Sequence, residues 1–405
     1  MPGKFRAISL IVLAEVLALS VWFSATAVIP VLTTEFALAP EDASALTTSV
    51  SFGFVAGTIV SAVFGLADRL NPKVFFAASV VFAALVNGAV ALCDPGSGTM
   101  TLLRFLTGAA MAGAYPVGMK MASSWAERDM GWLIGLLVGA VTLGSAMPHL
   151  LGVLDVGGVT YDWRLPVLGA SILALLSGGM ILFVELGPNL TAATKLRAGD
   201  ALKAFTVPSV RYANFGYFGH MWELYAMWGW IGLFLSESMT ANSVGEDIRS
   251  TAALITFVTL ASGAVGCVLG GRLADRFGRT TVTIAAMTIS GGCCLIAGFL
   301  FGTPLWILVP FVVIWGMAVV ADSAQFSSSV IELSDPQIRG TMLTVQTCVG
   351  FLITTVTIQL VPLLLAAFGW IGAFGVLAIG PILGVVAMWR LRCHPDSVRL
   401  AGGRR

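Results

Sequence analysis

Charge is what this sequence has least of. Only 11% of its 405 residues are Asp, Glu, Lys or Arg, where soluble proteins carry about a quarter. The two signs nearly cancel, 22 Lys and Arg against 21 Asp and Glu, so there is no basic face for nucleic acid. Histidine is reduced to 3 copies and tyrosine to 5. Six cysteines are present (Cys93, Cys267, Cys293, Cys294, Cys348 and Cys393), without a Cys-x-x-Cys pair. Mostly set in apolar runs, they read as small packing residues. No nucleophile–base–acid set and no metal-ligand spacing is found, so the chain is not read as an enzyme, and neither a cofactor nor a metal is implied. What remains is 57% hydrophobic residues and 46 Gly, the composition of a polytopic membrane protein surrounded by lipid bilayer.

Apolar runs of helical length fall at about residues 8–33, 43–67, 74–93, 99–122, 131–154 and 165–185, then at 211–236, 250–270, 281–302, 304–327, 340–365 and 371–391. Each is about long enough to cross a hydrocarbon core of roughly 30 Å as a helix. The first is too long for a cleaved signal peptide and is read as the first span. The polar break divides the chain into a six-helix bundle over residues 1–186, a cytoplasmic linker over 187–210 and a second six-helix bundle over 211–405. With both termini cytoplasmic, the inner segments hold 19 of the 22 Lys and Arg, as the retention of positive loops requires. The halves repeat each other. Glu15-x-x-Ala-x-x-x-Trp22 recurs as Glu223-x-x-Ala-x-x-x-Trp230, Asp68 as Asp275 and Trp163 as Trp370, on offsets of 207 or 208.

Two charged turns carry the clearest pattern. Gly271-Arg-Leu-Ala-Asp275-Arg276-Phe-Gly278-Arg279-Thr280 stands between two apolar runs, and a degenerate copy, Gly65-Leu-Ala-Asp68-Arg69-Leu-Asn-Pro-Lys73, stands near the other end. Gly-x-Leu-Ala-Asp-Arg-x-Gly-Arg resembles the loop between the second and third helices of each half of a major facilitator superfamily transporter. Arg104-Phe-Leu-Thr-Gly108-Ala-Ala-Met-Ala-Gly113 is similar to that superfamily's fourth-helix motif, whose arginine is linked to proton coupling. The resemblance implies an all-α membrane protein with twelve helices in two pseudo-symmetric bundles. It implies a substrate bound near the midplane between them, a monomer, and the inner membrane of a bacterium. Asp68, Arg69, Gly271, Asp275, Arg276, Gly278 and Arg279 become the cytoplasmic gate, the aspartates pairing with neighbouring arginines and helix N-termini.

Four ionisable groups lie well inside spans: Glu15 in the first, Arg104 in the fourth, Glu223 in the seventh and Asp322 in the tenth. A charge at the bilayer centre costs roughly 2.5–3.5 kcal/mol on insertion scales, so such residues normally face a cavity or a partner. In the superfamily these same four helices line the cavity. Glu15, Glu223, Asp322 and Arg104 are therefore the expected proton-coupling residues, Glu223 foremost. His220, Glu223, Met227 and Trp230 share one helical face. With Trp22 and with Gln325, in the polar patch after Asp322, they form the expected substrate cavity; Glu223 and His220 are read as facing it together. The aromatics Trp222, Tyr225 and Trp228 fit either cavity or lipid. His149, near the outer end of a glycine-rich fifth span, reads as a hydrogen-bonded interfacial histidine. The expected function is a secondary transporter of a small solute, coupled to protons and working by alternating access. A transition-metal, copper-like importer and a non-transporting membrane sensor or assembly factor are the alternatives.

Overall fold

Prolines and small caps set where the helices begin. The computed structural model describes residues 2–127, 130–153, 162–190, 198–242 and 247–405. Helix α2 (Pro40–Phe64) opens with proline in its first turn beside Glu41 and Asp42, whose charges suit the positive end of the helix. It ends on Gly65 at φ 60°, a left-handed cap that favours glycine. Helix α3 (Pro72–Leu92) starts where the Asn71 side chain accepts from Lys73 N at 3.0 Å, and α8 (Ile248–Phe277) where Asp247 accepts from Ser250 N at 3.1 Å. The other unbroken spans are α5 (Met130–Leu151), α6 (Arg164–Phe183), α7 (Pro208–Ala241) and α9 (Arg279–Leu300). Among the described residues there is no strand.

Eight helical stretches among the described residues are long and apolar enough to cross a membrane. The last of them, Arg339–Cys393, turns at Gly369 (φ 64°, ψ −168°) into α11 (339–368) and α12 (370–393). The remaining three spans are α7 and two broken helices. Helix α1 consists of Pro2–Leu19 and Thr26–Phe36, and α4 of Gly98–Met111 and Tyr115–Ser123. Helix α10 is broken too, into Leu305–Ala321 and Ser323–Leu333 around Asp322. The breaks in α4 and α10 fall on one offset, since Ala114 and Asp322 are as far apart in sequence as Glu15 and Glu223. This is the duplicated twelve-helix architecture, with α1, α4 and α10 broken along their length.

Small residues bring the helices together. A side chain at Gly53 on α2 would collide with the Phe105 carbonyl on α4, and one at Gly108 on α4 with the carbonyl of Val50. The two halves meet along two seams. In the first, the Cβ position of Gly139 on α5 lies 3.7 Å from the Ala264 carbonyl on α8. In the second, Phe54 on α2 packs on Phe351 of α11 with ring centroids 4.7 Å apart, and Gln359 Nε2 reaches Thr48 Oγ1 at 3.5 Å. These close approaches are what stabilise helix association where lipid removes the hydrophobic drive.

Candidate substrate path between the two halves

The break in α1 frees carbonyl groups that no helical turn can satisfy. Arg104 reaches them from α4: its Nη1 donates to Val21 O at 2.9 Å and to Ser24 Oγ at 3.2 Å, and its Nη2 to Trp22 O. Nη1 also donates to Asn87 Oδ1 on α3 at 2.6 Å, and Asn87 Nδ2 goes on to Val167 O and Ser171 Oγ on α6. Arg104 is fully buried. It therefore ties α1, α3, α4 and α6 into one polar node, and its guanidinium faces neutral acceptors.

Directly beside that node, aromatic rings cross the seam. Trp22 lies against Phe54 (5.1 Å), Phe351 (5.4 Å) and Tyr225 (6.1 Å). Tyr225 meets Phe23 at 5.8 Å and Phe351 at 5.1 Å, and Trp228 meets Phe23 at 5.7 Å. All six are buried, so α1 and α2 of one half are joined to α7 and α11 of the other by stacked and edge-on pairs. Tyr225 and Trp228 thus belong to the seam, not to the lipid face. Trp222 turns to α12, donating to Val376 O at 3.2 Å.

The carboxyl groups sit in three different settings. Glu15 is fully buried against α4, where a side chain at Gly118 would collide with its Oε1. Neither of its oxygens has a hydrogen-bond partner among the described residues. Asp322, at the break of α10, lies 2.9 Å from His220 Nδ1 on α7 with both side chains 2% exposed. That contact is close but off the hydrogen-bond direction, since Oδ1 lacks an aligned donor. Glu223 accepts from Trp315 Nε1 on α10 at 2.7 Å, and from Ser290 Oγ (2.8 Å) and Cys294 Sγ (3.2 Å) on α9.

These settings redistribute the expected site. His220 and Glu223 share a helical face in sequence, yet His220 pairs with Asp322 at the α10 break, while Glu223 meets Trp315 two turns earlier on α10 and Ser290 and Cys294 on α9. Met227 is fully buried. Trp230 donates to Ile358 O on α11 at 3.0 Å. Gln325 accepts from Arg279 Nη1 at 2.7 Å and so belongs to the loop cluster rather than to the seam. His149 is buried, and its Nε2 has no hydrogen-bond partner among the described residues, which replaces the interfacial reading. Asn87, Phe54 and Phe351 were missed. An asparagine inside an apolar run was a legible signal, but nothing in the pattern distinguishes Phe54 or Phe351 from lipid-facing phenylalanines.

In the second charged loop, Arg279 carries the ion pair. Its Nη2 is 2.5 Å from Glu332 Oε1 and its Nε donates to Glu332 Oε2 at 2.9 Å, a bidentate clasp between α9 and α10. Asp275 is exposed and makes no ion pair among the described residues; its backbone carbonyl accepts from Arg404. Gly271 has open space around it, and Arg276 stands 5.2 Å over the Phe277 ring. Gly278 has φ 94°, and a Cβ there would collide with the carbonyls of Arg404 and Arg405. In the first loop Arg69 is exposed and Lys120 Nζ donates to Ala67 O at 2.8 Å. The side chain of Asp68 lies outside the described residues, as do residues 191–197 of the linker.

A sequence profile of the Major Facilitator Superfamily matches residues 11–248 and 213–405. The chain belongs to this superfamily. Over 98% of its length it is 22% identical to the hexuronate transporter of Escherichia coli (strain K12), 96% of which is covered. It is 24% identical to the probable sulfoacetate transporter SauU of Cupriavidus necator, over 53% of this chain and 52% of that one. The crystal structure of a mutant of the nucleoside transporter NupG superposes with a TM-score of 0.72 at 14% identity, covering 95% of this chain and 99% of that one. At that identity the likeness speaks for the fold alone. As a member of this transporter family the chain is a multi-pass membrane protein.

Proposed function

We propose that the protein moves a small organic anion together with protons by alternating access, as a monomer in the inner membrane with both termini in the cytoplasm. The observation that carries the coupling is Glu15. It is a carboxyl buried on α1 about one turn before the break, and no donor among the described residues pairs with it. Closing a seam around an uncompensated charge costs several kcal/mol, and binding a proton there removes that cost. Proton loading and closure are therefore linked. The buried His220–Asp322 pair on α7 and α10 offers a second place where a proton changes the balance of charge. Glu223, held by three donors, acts in this reading as a brace for α9 and α10, and Arg104 as the anchor of the α1 break.

The solute class is supported by the relatives. Hexuronates and sulfoacetate both carry a carboxylate, and the hexuronate transporter aligns with nearly the whole chain. An anion that travels with protons crosses the low-dielectric seam with less net charge, which suits a path lined by carboxyl groups. Six aromatic rings at the seam supply apolar and stacking surface for the body of the solute. The test is uptake by purified protein in liposomes, with glucuronate and sulfoacetate as probes and glucose as the uncharged control. A pH gradient should drive accumulation of at least one anion, and a protonophore should abolish it. Uptake of glucose alone, or anion uptake indifferent to the gradient, refutes the proposal.

A further inference from the structure

A small cavity of mixed polar and apolar lining lies on the face away from the charged loops. It measures about 220 Å³, below the roughly 300–1,000 Å³ of drug-sized ligand pockets, so it suits a small solute. Both halves build it: Thr26 and Thr34 come from α1, His149 from α5, Ser236 from α7, and Arg249 and Thr256 from α8. It lies just outward of the aromatic seam, for Trp228 of that seam directly precedes the lining residue Gly229 on α7.

Its chemistry is that of an anion site. That character rests on two donors, since Thr34 and Thr256 spend their hydroxyl protons on carbonyls of their own helices, at 3.0 Å to Pro30 O and 2.8 Å to Ala252 O, and offer none. The cationic donor is Arg249, which crosses between the halves to pair with Glu35 at the rim. The other is His149, 5% exposed, whose Nε2 has no hydrogen-bond partner among the described residues and donates in the Nε2–H tautomer. A buried polar group left unpaired is costly, and its place in a cavity wall is explained by a ligand that pairs with it. Glycine at 232 keeps the space open: His149 Cε1 and Thr256 Oγ1 lie 3.8 and 3.6 Å from where its Cβ would stand.

We infer that this outer cavity is a capture site for a small organic carboxylate, where the arriving anion takes Arg249 from Glu35 and accepts from His149. The inference rests on the organic-anion reading above and adds to it the place of first contact. Capture would also release the Glu35–Arg249 tie between the halves, so arrival of solute and loosening of the outer rim become one event. The exchange is one of ion-pair partners only, with no bond made or broken in the solute.

The experiment measures the half-saturating concentration of glucuronate, or of sulfoacetate if wild type takes up only that anion, in membrane vesicles of both orientations. From the cavity side, Arg249→Gln should raise it about tenfold, the scale of one lost charge-assisted hydrogen bond. Glu35→Gln should lower it, because Arg249 no longer has to be displaced. His149→Leu should raise it, and His149→Gln, which restores an N–H donor, should recover part of the loss. From the opposite side, where solute does not meet this cavity first, the shifts in the two His149 variants should be smaller. A strut between the halves would respond in the same direction to loss of either partner, so parallel shifts in Arg249→Gln and Glu35→Gln overturn the capture site. If wild type transports the anion and none of the variants changes its affinity from the cavity side, the transport reading stands and the capture site falls. If wild type transports neither anion, both fail.

Discussion

Replacing Glu15 by Gln is the sharpest test of how transport is coupled. The side chain keeps its length and shape, and no hydrogen bond is lost, because neither carboxyl oxygen has a partner among the described residues. Folding stability should therefore change by less than about 1 kcal/mol. Coupling should change completely. One pH unit is worth about 1.36 kcal/mol per proton, which corresponds to about tenfold accumulation of a solute carried with one proton. In liposomes with a one-unit gradient, wild type should reach that ratio and Glu15→Gln should stop at equal concentrations on both sides. Counterflow at equal pH, which needs binding and rocking but no net proton movement, should persist in the variant. Tenfold accumulation by Glu15→Gln would refute the assignment. If Asp322→Asn then lost accumulation while keeping counterflow, the coupling proton would belong to the His220–Asp322 pair.

Glu223 should behave differently. Glu223→Gln retains an oxygen for Trp315 and Cys294, and Ser290 has a second acceptor in Met287 O at 3.4 Å, so accumulation and stability should stay near wild type. Glu223→Ala orphans the Trp315 N–H and should cost about 1–3 kcal/mol, read as a lower unfolding temperature in detergent. Arg104→Lys keeps the charge but lacks the planar fork that spans Val21, Trp22, Ser24 and Asn87. It should lower both thermal stability and turnover, and a variant with wild-type values for both would remove Arg104 from the α1 break. Gly278→Ala forces a Cβ onto a positive-φ position and into the carbonyls of Arg404 and Arg405. It should make the C-terminal segment more sensitive to limited proteolysis at a cost of roughly 1 kcal/mol or more. Unchanged cleavage would refute that contact.

Span number, the duplication and the helices that carry buried charge were legible in the chain, because each depends on a one-dimensional quantity. Length in apolar residues, a fixed offset and a charge where lipid forbids one survive without any knowledge of packing. The family followed from two charged loops and one arginine motif for the same reason. Side-chain partnerships were not legible. His220 and Glu223 stand three residues apart and share a helical face, yet rotation and tilt of α7 send one to Asp322 and the other to Trp315. Helical periodicity specifies which residues lie together, not which partner on a neighbouring helix each one meets.

The second charged loop shows the same division. Its glycines, aspartate and arginines are spelled out in order, and the turn they form depends on local backbone freedom, as Gly278 at φ 94° shows. That Arg279 would clasp Glu332, 53 positions away, while Asp275 stayed exposed, depended on the docking of α10 and the C-terminal segment. Sequence by itself thus determined the membrane class, the twelve spans and the residues too polar for lipid. Tertiary structure decided which of those residues are satisfied. Glu15, His149 Nε2, His220 Nε2 and Asp322 Oδ1 are left without hydrogen bonds among the described residues, because partners for a buried carboxyl or imidazole come from other helices, and proximity across helices is not encoded in the spacing along any one of them.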